Sequence, residues 1–70
     1  MLVAGCDVGA LTTKAAVMRD DVILGVEVVR SRAKAVQSAF DAMDKLLARL
    51  ALSYEQIDYC VSTGYGRRLI

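Results

Sequence analysis

A carboxylate, a glycine, two hydroxyls and a lysine lie close together near the start of the chain, in the segment GCDVGALTTK. An apolar strand leads into this segment and ends at Asp7, and Gly9 follows two residues later. Asp7 can hold a hydrated magnesium ion or orient a water molecule. Gly9 has no Cβ, so it lets a ligand approach the backbone closely. These residues indicate a site for the phosphates of a magnesium nucleotide.

The turn that begins at Gly9 supplies groups that suit phosphate oxygens. Consecutive turn N–H groups can form a concave anion site, hydroxyls can donate further hydrogen bonds, and a lysine adds a compact positive charge. The phosphate-binding residues predicted from these types are Gly9, Ala10, Leu11, Thr12, Thr13 and Lys14. The spacing alone also allows an ordinary hairpin with a Gly/Thr-rich turn. The P-loop pattern G-x-x-x-x-G-K-[ST] and the dinucleotide pattern G-x-G-x-x-G are both missing from the segment.

Two motifs resemble those of a known ATPase family. The segment from Asp7 to Lys14 is similar to the first phosphate motif of the actin, sugar-kinase and heat-shock-chaperone ATPase superfamily. The segment STGYGR, from Ser62 to Arg67, resembles the signature of one branch of that superfamily. That branch comprises the ATPase subunits of benzoyl-CoA reductase and the activators of 2-hydroxyacyl-CoA dehydratases. Ala10 departs from the family, which commonly has serine there, so this position offers phosphate only its backbone N–H.

The second motif defines a signature loop whose members are Thr63, Gly64, Tyr65, Gly66 and Arg67. Its first residue, Thr63, is expected at the carboxyl end of the fourth strand, where open α/β sheets bind ligands. The alternative is a glycine-rich turn that only closes the preceding strand, with Arg67 facing a partner.

The resemblance implies a protein that couples ATP hydrolysis to low-potential electron transfer into a CoA-ester reductase or dehydratase. ATP or ADP and Mg²⁺ would be its ligands, and Asp7 would be the catalytic residue that holds magnesium through water. A [4Fe–4S] cluster would bridge two subunits, with ligands outside this chain. The expected partners are the remainder of the same ATPase domain, a second ATPase subunit and the CoA-ester component. A small-molecule kinase, a chaperone-like reactivating ATPase and an inactive structural half-domain remain alternatives. Within the resembling branch, the sequence DVGALTTK slightly favours the benzoyl-CoA reductase subunits.

The hydrophobic pattern predicts four strands and one helix. The expected strands are Leu2–Val8, Lys14–Arg19, Val22–Arg30 and Ile57–Ser62, and the expected helix is Arg32–Leu52. Asp20 and Asp21 form a tight turn, because aspartate tolerates left-handed conformations. Ser31 is the expected N-cap of the helix.

Apolar residues at helical spacing predict the buried side of that helix. They are Val36, Phe40, Met43, Leu47 and Leu50. Asp41 and Lys45 are expected to pair on the opposite, solvent-facing side. After the helix, Ser53 and Gln56 have the spacing of a capping box.

This order of elements predicts an α/β fold, which the resemblance identifies as the N-terminal half of a ribonuclease-H-like, actin-like ATPase domain with the order β-β-β-α-β. The helix should carry the chain back across the sheet, so that the fourth strand lies parallel to the first. Asp7 and Thr63 would then lie at neighbouring carboxyl ends, where open α/β sheets bind ligands. A chain of 70 residues buries only about 60% of its surface, and a hydrophobic content of 56% is high for that size. Residues 1–70 are therefore expected to be an incomplete N-terminal fragment of a larger α/β domain.

Composition excludes several other classes. The net charge is +1 without a basic block, so nucleic-acid binding has no support. No apolar run approaches the about 20 residues of a membrane span, and a cytoplasmic location is expected. Cys6 and Cys60 are expected to be buried as small hydrophobic residues. The chain has no histidine, and the two cysteines lack metal-binding spacing.

Overall fold

A computed structural model of the chain describes residues 1–64. Its elements are β1 (Leu2–Val8), β2 (Thr12–Arg19), β3 (Val22–Arg30), α1 (Ala35–Leu50), a short 3₁₀ turn (Tyr54–Gln56) and β4 (Tyr59–Gly64). The strands form one sheet in the order β3-β2-β1-β4. The mixed α/β class that the sequence predicts is confirmed.

The sheet combines antiparallel and parallel pairing. β1, β2 and β3 form an antiparallel meander, and β4 lies parallel to β1, as expected from the intervening helix. Asp20 and Asp21 have φ angles of 47° and 70°, which lets them connect β2 to β3 as a two-residue hairpin. A register shift near Val17 and Met18 alters the β2–β3 pairing by one residue. At the start of the sheet, the carboxylate of Asp58 accepts a hydrogen bond from the Leu2 N–H at 2.8 Å.

Helix α1 is shorter than predicted. It begins at Ala35, with Lys34 at the N-cap, so the expected start at Arg32 and the expected cap at Ser31 are both wrong. Ala51 ends the helix in the left-handed conformation, with φ 57° and ψ 40°. No helix within residues 1–64 is long and apolar enough to cross a membrane.

The buried side of α1 is rotated from the predicted one. Met43 and Leu47 are buried as expected, but Phe40 is 49% exposed and packs edge-on against Tyr54, whereas Leu46 is fully buried. Gly25 on β3 accounts for this, because a Cβ there would lie 3.0 Å from Leu46 Cδ1. The missing side chain lets the helix lie close to β3, which turns Leu46 towards the sheet.

Polar contacts around α1 also differ from the prediction. Asp41, expected to pair with Lys45, forms an ion pair with Arg32 in which Nε and Oδ2 are 2.8 Å apart. The capping box at the 3₁₀ turn is confirmed, since Gln56 Oε1 accepts a hydrogen bond from the Ser53 N–H at 2.8 Å.

Helix α1 packs on one face of the sheet, and the opposite face is apolar and exposed. The core lies between α1 and the alternate residues of β1 and β2 that face it: Leu2, Ala4, Cys6, Val8, Ala15 and Val17. The other face carries exposed large hydrophobic residues: Met18, Val26, Val28, Tyr59 and Val61. Strand alternation places Asp7 and Lys14 on this second, open face.

Candidate functional site

Three predicted site positions lie in one row across the sheet. Asp7 on β1 is directly opposite Lys14 on β2 and directly opposite Thr63 on β4. The side chains of Asp7 and Lys14 are exposed, and their Cβ atoms are about 4.5–5.5 Å apart, as for any directly opposed antiparallel pair. A carboxylate and an ammonium group therefore stand side by side at the carboxyl ends of β1 and β4.

This donor set fits a magnesium nucleotide better than a metal ion held by protein alone. Within residues 1–64 no group of three or more histidine, cysteine or acidic side chains could hold a metal ion. Mg²⁺ is usually bound through one or two carboxylates together with water and substrate phosphates. Asp7 can supply such a carboxylate, and Lys14 can neutralise phosphate charge.

The turn between β1 and β2 is closed by its own backbone. The Gly9 N–H donates to the Thr12 carbonyl at 2.9 Å. A Cβ at Gly9 would lie 2.9 Å from that same oxygen, which is closer than real Cβ contacts. Glycine is therefore required by the shape of the turn itself. Ala10, Leu11 and Thr12 are exposed at its tip, and Leu11 is 79% exposed.

Thr13 lies apart from the other predicted phosphate residues. It is fully buried on the helix-facing side of β2, opposite to the side that carries Lys14. Its hydroxyl lies 2.8 Å from the Ser31 hydroxyl, and Ser31 Oγ in turn donates to the Gly9 carbonyl at 2.7 Å. The structure thus brings Asp7, Gly9 and Lys14 together. Thr13 instead contacts the turn indirectly, through Ser31, on the helix-facing side of the sheet.

Sequence reasoning missed two residues beside the turn. Ser31 is the expected helix cap, but its side chain donates a hydrogen bond to the Gly9 carbonyl of the turn. Its N–H donates to the Leu11 carbonyl at 2.9 Å. Arg30 is directly opposite Thr12 and is exposed. Counting outward from the Asp20–Asp21 turn would have placed Val29 opposite Thr12. The register shift in β2–β3 moves Arg30 there instead.

The signature loop begins later than predicted. Thr63 and Gly64 belong to β4, so the expected end of the strand at Ser62 is wrong. Pairing with β1 extends to Gly64, opposite Val8, because β1 itself continues that far. Tyr65, Gly66 and Arg67 lie outside the described residues.

The two cysteines have different environments. Cys6 is buried as expected, and burial raises the pKa of its thiol. Cys60 is exposed, contrary to the prediction. It lies on β4, which is an edge strand among residues 1–64 and pairs there with β1 alone, and this leaves Cys60 less well covered.

Comparison with known proteins places the fold. No known family model matches the chain. It is 36% identical over 63 residues to an uncharacterized protein of Methanocaldococcus jannaschii, a match that covers 90% of this chain and 15% of that protein. The chain therefore spans only a small part of this relative.

Two solved structures resemble the chain over nearly its whole length. Component A of the (R)-2-hydroxyglutaryl-CoA dehydratase of Acidaminococcus fermentans matches 99% of this chain and 27% of its own, with a TM-score of 0.88 and 21% identity. The activator of the 2-hydroxyisocaproyl-CoA dehydratase from Clostridium difficile, with bound ADPNP, matches 100% of this chain and 26% of its own, with a TM-score of 0.89 and 27% identity. The chain has the fold of part of these proteins. Their names agree with the family that the sequence motifs resemble.

Proposed function

We propose that this chain carries the phosphate-binding part of an ATPase that activates a CoA-ester dehydratase. The observation that carries the proposal is the row of Lys14, Asp7 and Thr63 beside the Gly9 turn, at the carboxyl ends of two parallel strands. Ligands of open α/β sheets bind at such ends. The likeness to an activator with bound ADPNP, an ATP analogue, supports the same ligand here.

Each residue of the site has a proposed role. Asp7 holds hydrated magnesium and orients the attacking water, and Lys14 neutralises phosphate charge. The N–H groups of Ala10, Leu11 and Thr12 donate to phosphate oxygens, and the Thr12 hydroxyl adds a donor. The Gly9 N–H is already bonded to the Thr12 carbonyl, so Gly9 contributes by shaping the turn and by leaving room for a ligand. Thr13 acts indirectly through Ser31, because its hydroxyl is buried and already bonded. Bound magnesium would supply charge neutralisation for phosphoryl transfer.

The remaining predicted features concern the whole protein. The chain spans 15% of its curated relative and 26–27% of the two solved chains, so these features extend beyond it. We propose that residues 1–70 belong to the N-terminal part of a ribonuclease-H-like domain in a cytoplasmic protein. That protein would couple ATP hydrolysis to electron transfer, through a [4Fe–4S] cluster between two ATPase subunits, into a dehydratase component. The structural neighbours favour the dehydratase-activator branch over the benzoyl-CoA reductase branch. Thr63, at the carboxyl end of β4, is proposed to lie next to the nucleotide.

One observation favours a second possibility for the isolated segment. Within residues 1–64, the open face of the sheet exposes large hydrophobic residues from β2, β3 and β4, which a stable small domain would cover. Residues 1–70 alone would then be a structural half-domain without activity, and nucleotide binding would need the rest of the protein.

The proposal is tested by nucleotide binding to the full-length protein that carries this segment. Isothermal titration with Mg-ADPNP should give saturable binding, and Lys14→Gln should weaken it about tenfold, which corresponds to about 1.4 kcal/mol. Lys45→Gln, an exposed lysine on α1, serves as the matched control and should leave the dissociation constant unchanged. An absence of binding in the wild-type protein, or equal affinities of wild type and Lys14→Gln, would contradict the proposal.

A further inference from the structure

We propose that Ser31 is a positioning residue that sets the direction of the turn N–H groups towards the phosphates; this inference rests on the proposed nucleotide site. Ser31 follows β3 and lies far from the turn in sequence. It nevertheless makes two hydrogen bonds to that turn, one from its side chain and one from its backbone.

The two hydrogen bonds fix two different carbonyls of the turn. Ser31 Oγ donates to the Gly9 carbonyl at 2.7 Å, and the Ser31 N–H donates to the Leu11 carbonyl at 2.9 Å. Together with the bond from the Gly9 N–H to the Thr12 carbonyl, they hold the first and third residues of the turn in place.

The direction of the hydroxyl bonds follows from the chemistry of the acceptor. A carbonyl can only accept, so the single hydroxyl hydrogen of Ser31 is used on Gly9. The Thr13 hydroxyl must therefore donate to Ser31 Oγ, which lies 2.8 Å away. Because Thr13 is fully buried, this bond orients the Ser31 hydroxyl from inside the core.

Holding these carbonyls also orients the amides that could bind phosphate. In a trans peptide the C=O and the following N–H point in opposite directions, and residues 1–64 contain no cis peptide. The Gly9 carbonyl points to Ser31, so the Ala10 N–H points away from it. The same argument applies to the Leu11 carbonyl and the Thr12 N–H. Ser31 thus keeps two N–H donors pointing away from its own side of the turn.

This orientation has special importance at Ala10. Its methyl side chain cannot donate a hydrogen bond, so its backbone N–H is the donor that this position offers. An amide that turned away would lose the contact altogether.

The chain offers a matched control in Ser38. Ser38 lies in α1; it is fully buried, and its hydroxyl accepts a hydrogen bond at 2.6 Å from the N–H of Arg32 in the β3–α1 connection. Ser31→Ala and Ser38→Ala each remove one hydroxyl that bonds in or next to this connection, but of the two only Ser31 contacts the turn.

The experiment compares these variants in the full-length protein by Mg-ADPNP titration, thermal melting and amide hydrogen exchange without nucleotide. Ser31→Ala should weaken Mg-ADPNP binding about tenfold, as expected from losing a hydrogen bond and misorienting its neighbours. Ser31→Thr, which keeps the hydroxyl, should restore affinity to within about twofold of wild type. Ser38→Ala should lower the melting temperature and leave affinity unchanged. Thr13→Val removes only the donor to Ser31, so its affinity for Mg-ADPNP should lie between those of wild type and Ser31→Ala. This variant provides a second test if Ser31→Ala folds poorly.

The exchange measurement separates this inference from the proposed function. Ser31→Ala should speed exchange of the Gly9 N–H without nucleotide, whereas Ser38→Ala should not. If the wild-type protein fails to bind Mg-ADPNP, the nucleotide proposal is wrong, and unchanged exchange at Gly9 would separately show that Ser31 does not hold the turn. If the wild-type protein binds, equal losses of affinity in Ser31→Ala and Ser38→Ala would overturn the positioning role, as would wild-type affinity in Ser31→Ala.

Discussion

Replacing Asp7 with asparagine in the full-length protein should stop ATP turnover while leaving the fold and nucleotide binding nearly intact. Asp7 is exposed on the open face, directly opposite Lys14, and asparagine has almost the same shape. Backbone pairing with Lys14 and Thr63 does not involve the carboxylate. Substitutions at such exposed positions usually change stability by less than about 0.5 kcal/mol.

The expected loss of activity is much larger than the loss of affinity. Removing a carboxylate that holds magnesium and orients water should cost about 3 kcal/mol of transition-state stabilisation, which slows turnover roughly a hundredfold. An exposed charge contributes about 1 kcal/mol or less to an ion contact, so the dissociation constant should change less than about fivefold.

The assay measures steady-state phosphate release, with Mg-ADPNP titration and thermal melting on the same samples. Asp21→Asn is the control, because Asp21 is an exposed aspartate in the β2–β3 turn at the opposite end of the sheet. Its φ of 70° is one that asparagine also tolerates. Turnover in Asp7→Asn within a factor of about two of wild type would refute the catalytic assignment.

Four further predictions concern stability, thiol reactivity, pH dependence and assembly. Ala51→Gly should stabilise the protein by about 1 kcal/mol, because Ala51 is held at a φ of 57° that costs an L-residue energy; an unchanged or lower melting temperature would contradict this. Iodoacetamide should alkylate exposed Cys60 at least about tenfold faster than buried Cys6, whose raised pKa keeps it protonated, and mass spectrometry of the labelled peptides would show equal rates if the assignment is wrong. For the same reason stability should fall as the pH rises past about 8.5, the ordinary thiol pKa, because the unfolded chain then releases a proton that the folded Cys6 retains; Cys6→Ala should flatten this part of a pH-dependent melting series. Residues 1–70 in isolation should self-associate through the open apolar face and bind no Mg-ATP, so a monodisperse, ATP-binding monomer in sedimentation equilibrium would contradict the half-domain interpretation.

Local rules were enough to predict most of the elements near the site. The apolar run before Asp7 predicts β1, and the tight turn at Asp20 and Asp21 was found because aspartate tolerates a positive φ. The turn at Gly9 was predicted from a glycine, hydroxyl side chains and a lysine, whose ability to bind phosphate does not depend on the surrounding fold. The parallel pairing of β4 with β1 followed from the crossover helix, since the helix returns the chain to the end of the sheet at which β1 begins.

The errors arose where contacts between distant segments compete with local preference. Serine is a residue type that often caps helices. Once β3 pairs with β2, however, the Ser31 hydroxyl lies within hydrogen-bonding distance of the Gly9 carbonyl and the Thr13 hydroxyl. Phe40 has the spacing of a core residue, but the close approach of α1 at Gly25 turns other residues inward.

The sequence by itself determined the kind of chemistry and the order of the elements, because residue types, glycine positions and hydrophobic periods act over a few neighbouring residues. It indicated Asp7, Gly9 and Lys14 as one group on that basis. Only the tertiary structure decided that Thr13 faces the core and that Ser31 holds the turn. Those facts depend on strand register and helix rotation, which are set by packing across the sheet rather than by the residues at the turn.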